Sequence, residues 1–130
     1  MKKFIALILA LVMVMTFAAC GASEKFDPAA KSEGTMTYAE YAAAELDANV
    51  VIECYVQATQ AWWVIKITVY APDPVGAYFL YELQCSEEDA AKLVPGTKIR
   101  VTGYKGEWAG EVEVMDGTFE FVNAAPWVAE

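Results

Sequence analysis

A mainly β architecture follows from three features of this chain. Apolar residues alternate with polar ones at a period of two in five separate stretches between Val50 and Phe121. Turns rich in Pro or Gly, "APDPVGA", Pro95-Gly96 and "YKGEWAGE", separate several of those stretches. Helical spacing is confined to two short segments, one before the first β stretch and one between the third and fourth.

The N-terminus reads differently. Met1-Lys2-Lys3 precedes an uncharged, apolar run from Phe4 to Ala19, matching the first two regions of a secretory signal. The run is shorter than the roughly 20 residues that a spanning helix needs. Its ending, Phe17-Ala18-Ala19-Cys20, resembles a bacterial lipobox. That resemblance implies cleavage before Cys20, removal of residues 1–19 and acylation of Cys20. Several acyl chains hold a protein on a bilayer where one does so marginally. A plain signal peptide cut near Ala19 is the alternative. Residues 20–35 are small and polar, with Pro28 and Gly34, and read as a flexible tether. The domain is expected over residues 36–130.

The first element is a helix. Thr37 and Glu40 form a capping box. Tyr38, Tyr41, Ala42, Glu45 and Leu46 then share one face. Strand one runs from Val50 to Ala58, with Val50, Ile52, Cys54, Val56 and Ala58 inward and Glu53 outward. Strand two, Trp62 to Tyr70, places Trp63, Ile65, Ile67 and Val69 inward. Tyr78 to Cys85 is strand three, with Phe79, Tyr81, Leu83 and Cys85 inward. Ser86 caps a short helix reaching Val94, with acids in its first turn. Strand four, Thr97 to Gly103, turns Ile99 and Val101 inward and Lys98 and Arg100 outward. Strand five, Glu111 to Phe121, turns Val112 and Val114 inward, with Glu111 and Glu113 on a solvated face. Its apolar phase changes near Asp116-Gly117, which calls for a bulge.

Three strands, a helix and two strands is the order of the OB-fold, a five-stranded Greek-key barrel. The segment "CSEEDAAKLVPGTKIRVTGY" resembles the helix-to-strand-four passage of bacterial OB-fold domains. The run from Val50 to Val122 is similar to OB-like domains in secreted bacterial lipoproteins of unassigned function. The resemblance implies a five-stranded barrel with a short helix between strands three and four. The N-terminal helix is an addition to it.

Charge narrows the functional classes. The net charge of −9 becomes −11 once Lys2 and Lys3 leave with the signal segment. Such a surface repels nucleic acid and anionic headgroups. The expected partners are the membrane, through the anchor, and an oligosaccharide or an envelope protein. OB-type nucleic-acid binding is disfavoured. The chain has no histidine, hence no ordinary general base at neutral pH and no imidazole metal ligand. Neither a nucleophile–base pair nor a phosphate-cradling glycine loop is present, so no enzyme is expected. Glu87, Glu88, Asp89 and Asp116 lack EF-hand spacing and read as surface charge, so no metal or cofactor is expected.

Two constellations remain. With Cys20 acylated, Cys54 and Cys85 are left as an even pair on inward positions, suited to an oxidising compartment. A disulfide there would stabilise by about 3 kcal/mol. Two buried free thiols are the other arrangement. The second constellation is aromatic. Trp62 and Trp63 stand where the loop after strand one enters strand two, and Trp108 sits among glycines between strands four and five. OB-folds bind ligands between those loops, on the face of strands two and three. Trp62, Trp108, Tyr78 and Tyr70 are therefore the expected ligand-binding residues, stacking on a sugar or a protein partner. The competing readings are a purely structural envelope domain and tryptophans that only cover the barrel mouth.

Overall fold

The computed structural model describes residues 26–129. The expected signal segment, Cys20 and the first part of the tether lie outside the described residues. None of the described helices is long and apolar enough to cross a membrane.

The elements are helix α1 (Tyr38–Ala43), strands β1 (Asn49–Tyr55), β2 (Ala58–Thr59), β3 (Lys66–Asp73) and β4 (Gly76–Gln84), helix α2 (Glu87–Ala90), and strands β5 (Lys98–Trp108) and β6 (Glu111–Phe121). They form one six-stranded mixed sheet, ordered β1-β5-β6-β4-β3-β2. All its pairings are antiparallel except β4 with β6, which run parallel at Leu80↔Val114. The sheet is open, with β1 and β2 at its edges. Only Val56 and Gln57 separate those two edges in the chain. The amide of Val56 donates to Thr97 O before β5, and that of Gln57 to Tyr70 O in β3.

Each helix begins where its cap dictates. Thr37 and Glu40 make both bonds of the capping box. The hydroxyl of Ser86 accepts from the Asp89 amide, and Glu87, Glu88 and Asp89 fill the first turn of α2. Helix α1 stops at Ala43, so Leu46, expected on its apolar face, is exposed. Its C-terminus is closed by Lys105, whose Nζ donates to the carbonyls of Tyr41, Ala42 and Ala44 at 3.0, 2.8 and 2.7 Å. An ammonium there satisfies orphan carbonyls and opposes the helix dipole.

The core combines Val50, Ile52, Cys54, Ile67, Val69, Tyr78, Leu80, Leu83, Ile99, Val101 and Val114. Tyr41 drops onto it from α1. The rings of Tyr38, Tyr41 and Tyr78 stack edge-on or tilted at 5.0–6.2 Å. Gly76 admits the Tyr38 ring, since a Cβ there would lie 2.3 Å from Tyr38 Cζ. Burial pushes the Tyr41 hydroxyl up to about 12.

Several expectations are corrected. Strand one divides, and Ala58 is exposed in β2. In β4, Tyr78 and Leu80 are buried, while Tyr81 is exposed. The register with β3 slips between Ile67 and Val69, where β4 carries one extra residue and Glu82 has φ 51°. The bulge reverses inward parity before Leu83. In β6, Val112 is exposed and Glu113 is buried. The bulge expected near Asp116 is present: the register shifts opposite Thr102 and Tyr104, and Asp116 has φ 50°. Cys54 and Cys85 are free, buried thiols. Cys54 lies within the field of Lys31 and Asp73, whereas Cys85 closes the far end of the β3–β4 hairpin, beside Ile65 and Ser86.

The largest departure is Glu53. Its side chain is wholly buried. Its carboxylate takes two bonds from Arg100, at 2.9 and 3.2 Å, and one from the Ser32 amide at 2.8 Å. Lys98 Nζ lies 3.7 Å away. Arg100 also reaches Glu120 at 2.6 Å. Lys31 pairs with buried Asp73 and donates to Glu53 O at 2.9 Å. Residues 31 and 32, within the expected tether, are thus docked on the domain, and Phe26 packs edge-on to Tyr55. Lys98 and Arg100, expected outward, are half-buried, Lys105 is buried, and all three are internally engaged.

Burial pushes the Glu53 carboxyl up, but the bonds from Ser32 and Arg100 and the charge of Lys98 outweigh it and hold it below the usual range. A depressed carboxyl stabilises the fold above its unfolded value of about 4.3. That stability is lost as pH falls through the lower folded value. Glu53→Gln is expected to cost about 3 kcal/mol at neutral pH, because it leaves cations without their buried partner. Denaturant unfolding at pH 7 and pH 3 should show the variant's deficit shrinking on acidification. An undiminished deficit at pH 3 would contradict this.

Candidate functional site

Four residues close the loop before β3 into a tight hairpin. The amide of Trp63 donates to Lys66 O at 2.9 Å, and that of Lys66 to Trp63 O at 3.1 Å. The central residues, Val64 and Ile65, have φ 48° and 64°. Positive φ at both centres is the type I′ arrangement, which favours Asn-Gly. β-Branched residues there are strained. The turn breaks the alternation expected from Trp62 onward. Trp63, expected inward, is 78% exposed, and Val64 and Ile65 are 62% and 57% exposed. Trp62 takes the inner place, half-buried against the core, with its Nε1 donating to Cys85 O at 2.8 Å.

Beside this turn lies a groove of about 460 Å³. Ile65 and Lys66 form one wall, Tyr81 and Glu82 of β4 the next, and Met115 and Asp116 of β6 the third. The two bulges open it. At Glu82 the extra residue is held by its amide, which donates to the Thr68 hydroxyl at 3.1 Å. Gly117, in the other bulge, permits close packing at the groove's edge, since a Cβ there would meet Leu83 Cδ2 at 2.5 Å. Lys66 and Glu82 make an exposed ion pair at 3.3 Å, which contributes little stability. The charge and hydrogen bond of Asp116, with some desolvation, raise the pKa of neighbouring Tyr104.

The expected aromatic site is not assembled. Tyr78 is buried in the core. Tyr70 is exposed on β3, and Trp108 is 75% exposed in the β5–β6 turn. Strand β4 runs parallel to β6, so Trp108 shares an end of the sheet with the Asp73–Gly76 turn. The Trp63 turn stands at the opposite end. Trp62 and Trp108 therefore do not border one cleft. The groove residues Tyr81, Glu82 and Met115 were missed. The signal for one bulge, the phase change at Asp116-Gly117, was in the sequence; Glu82 carried none.

Chemically, the groove offers apolar walls, one ammonium and two carboxylates. Among the described residues, no three His, Cys, Asp or Glu side chains converge as metal ligands. Every described cation is engaged: Lys31 with Asp73, Lys66 with Glu82, Lys92 with Glu88 and Asp89, Lys98 and Arg100 with Glu53, and Lys105 with helix carbonyls. No protein-family model matches the chain, and neither a curated protein nor a solved structure does.

The strain in the turn is measurable. Replacing Val64→Asn and Ile65→Gly together is expected to stabilise the fold by about 1 kcal/mol or more, read as a higher melting temperature in thermal unfolding. A lower melting temperature would mean that the two side chains pack rather than strain.

Proposed function

We propose that this chain is a lipid-anchored protein on the extracytoplasmic face of a bacterial membrane, and that its domain is a non-catalytic binding module using the groove beside the Trp63 turn. The anchor reading rests on the lipobox-like ending at Cys20. The domain reads as an OB-like barrel. In its favour, β1 and β2 are separated by two residues and bond to opposite edges of the remaining sheet. Taken as one bent strand, they would close the order into a ring of five strands with a single parallel pairing. The helix α2 falls between the third and fourth. OB-folds bind at the loop that follows the first strand, which is where the groove lies.

The observation that carries the binding reading is the groove's mixed lining in an acidic domain with no cation to spare. Glu82 and Asp116 rim apolar walls made by Ile65, Tyr81 and Met115. That combination suits a protein segment pairing an apolar side chain with a basic one. A neutral oligosaccharide is the second reading, favoured by the exposed ring of Tyr81. Nucleic acid is disfavoured by charge. Nothing in the groove resembles a nucleophile activated by a base, and the module is read as lacking catalysis.

The test is a titration followed through the Met115 methyl resonance. The probes are short peptides alternating leucine with lysine, the same peptides with glutamate, and neutral chito-oligosaccharides. The account expects a saturable shift with the lysine peptides, weakened at least about fivefold by Glu82→Gln with Asp116→Asn, a loss on the scale of a charged pair. A shift with the sugars alone selects the second reading. No shift with any probe would leave the domain a structural one.

A further inference from the structure

We infer that Glu113 is the deep anchor of the groove: its carboxylate receives the cationic end of a long basic side chain, which a protein partner passes behind the thioether of Met115. This rests on the protein-segment reading of the groove and deepens it.

The first observation is a comparison among buried polar groups. Glu53, Thr68, Asp73, Lys105 and Glu113 are the buried polar or charged residues among those described. All but the last are satisfied. Glu53 has Arg100, Lys98 and the Ser32 amide. Asp73 has Lys31 and the Val75 amide. Lys105 has its helix carbonyls, and the Thr68 hydroxyl accepts from the Glu82 amide. Glu113, 4% exposed, has neither a hydrogen bond nor an ion pair among the described residues. A buried carboxylate without a partner costs stability. Desolvation and then the charge of Glu111 push its carboxyl above the usual range. Its titratable neighbours, Glu111 and Tyr41 of α1, include no cation. In a domain that pairs its other buried charges, this exception points to a partner from outside.

The second observation is the face on which Glu113 stands. Val114 is in the core, so Glu113 and Met115, on either side of it, point to the outer face of β6. Lys105 does not serve Glu113. It pairs in register with Val114 and shares the inner face, where α1 holds its ammonium. The residue opposite Glu113 is Gly106, and a Cβ there would lie 2.2 Å from Met115 Sδ. The thioether thus fills the space across from Glu113 that a larger residue would occupy. Met115 is also a wall of the groove. One unbranched, pliable side chain therefore stands between the groove and the carboxylate.

The third observation is distance. Glu113 lies two residues from Met115, about 7 Å along the strand. A side chain with several methylenes reaches it from the groove while the partner's backbone stays outside. Lysine and arginine meet that requirement, and their apolar stems suit the walls made by Tyr81 and Met115. Glu82 and Asp116 at the rim steer the cation inward, and Glu113 holds it.

The test measures binding to the purified full-length protein by calorimetry. One probe is a peptide alternating leucine with lysine. The other replaces lysine with 2,4-diaminobutyrate, which keeps the ammonium on a stem shorter by two methylenes. The wild type is expected to bind the lysine peptide at least about tenfold more tightly than the shorter-stemmed one. Glu113→Gln is expected to weaken the lysine peptide at least about tenfold and to leave the other within about twofold, which abolishes the preference. The same variant is expected to melt at a higher temperature at pH 7, because an amide relieves the unpaired charge. Unchanged lysine binding in Glu113→Gln overturns the inference and leaves the groove reading standing. A lower melting temperature gives Glu113 a structural partner and also overturns it. If the wild type binds neither peptide, the protein-segment reading falls and this inference falls with it.

Discussion

A carboxylate sealed inside an acidic domain is the constraint from which the rest of this structure follows. Glu53 sits on an edge strand, where its charge would be costly without partners. Arg100 and Lys98 bring β5 to it, Arg100 carries the link on to Glu120 of β6, and Ser32 brings the N-terminal segment. Lys31 adds the β3–β4 turn through Asp73. The Glu53 carboxylate thus ties β1, β5 and β6 to the N-terminal strap, and a second buried pair, Lys31 with Asp73, fastens the β3–β4 hairpin to the same strap. The same network engages Lys31, Lys98 and Arg100, and leaves Lys66 and Lys92, each beside a carboxylate, as the exposed lysines among the described residues.

The geometry of the groove has a different origin. Edges and ladders here are regular except at two places, Glu82 and Asp116, where an extra residue enters a strand at positive φ. Those two bulges twist neighbouring strands apart and re-aim Tyr81 and Met115 toward a common groove, as bulges near sites commonly do. A third irregularity, the strained turn at Val64 and Ile65, supplies the remaining wall. The core is built from alternation, and the candidate site from its interruptions.

This division explains what could be read from the residues alone. Capping at Thr37 and Ser86, the inward faces of Val50, Ile52 and Cys54 and of Ile99 and Val101, and the bulge at Asp116-Gly117 were all legible, because each depends on neighbours in sequence. The inward parity of Trp63 and Tyr81 was misread. A left-handed turn made of Val and Ile carries no signature, since those residues ordinarily argue against it. The burial of Glu53 was equally silent, because Arg100 lies 47 positions away. For Cys54 and Cys85 the residues alone left a disulfide and two buried thiols equally open, because shared parity does not fix the distance between two strands; the structure has them as free, buried thiols.

The central claim is that the Glu53 network turns part of an apparent tether into fixed structure. Native-state hydrogen exchange at the Ser32 amide tests it most directly. If that amide is held by the buried carboxylate, it should exchange only through large-scale opening, at a rate close to those of Ile52 and Val101 in the core. Exchange at the rate of a free peptide, with the core amides still protected, would contradict the account and return residues 26–35 to a flexible tether.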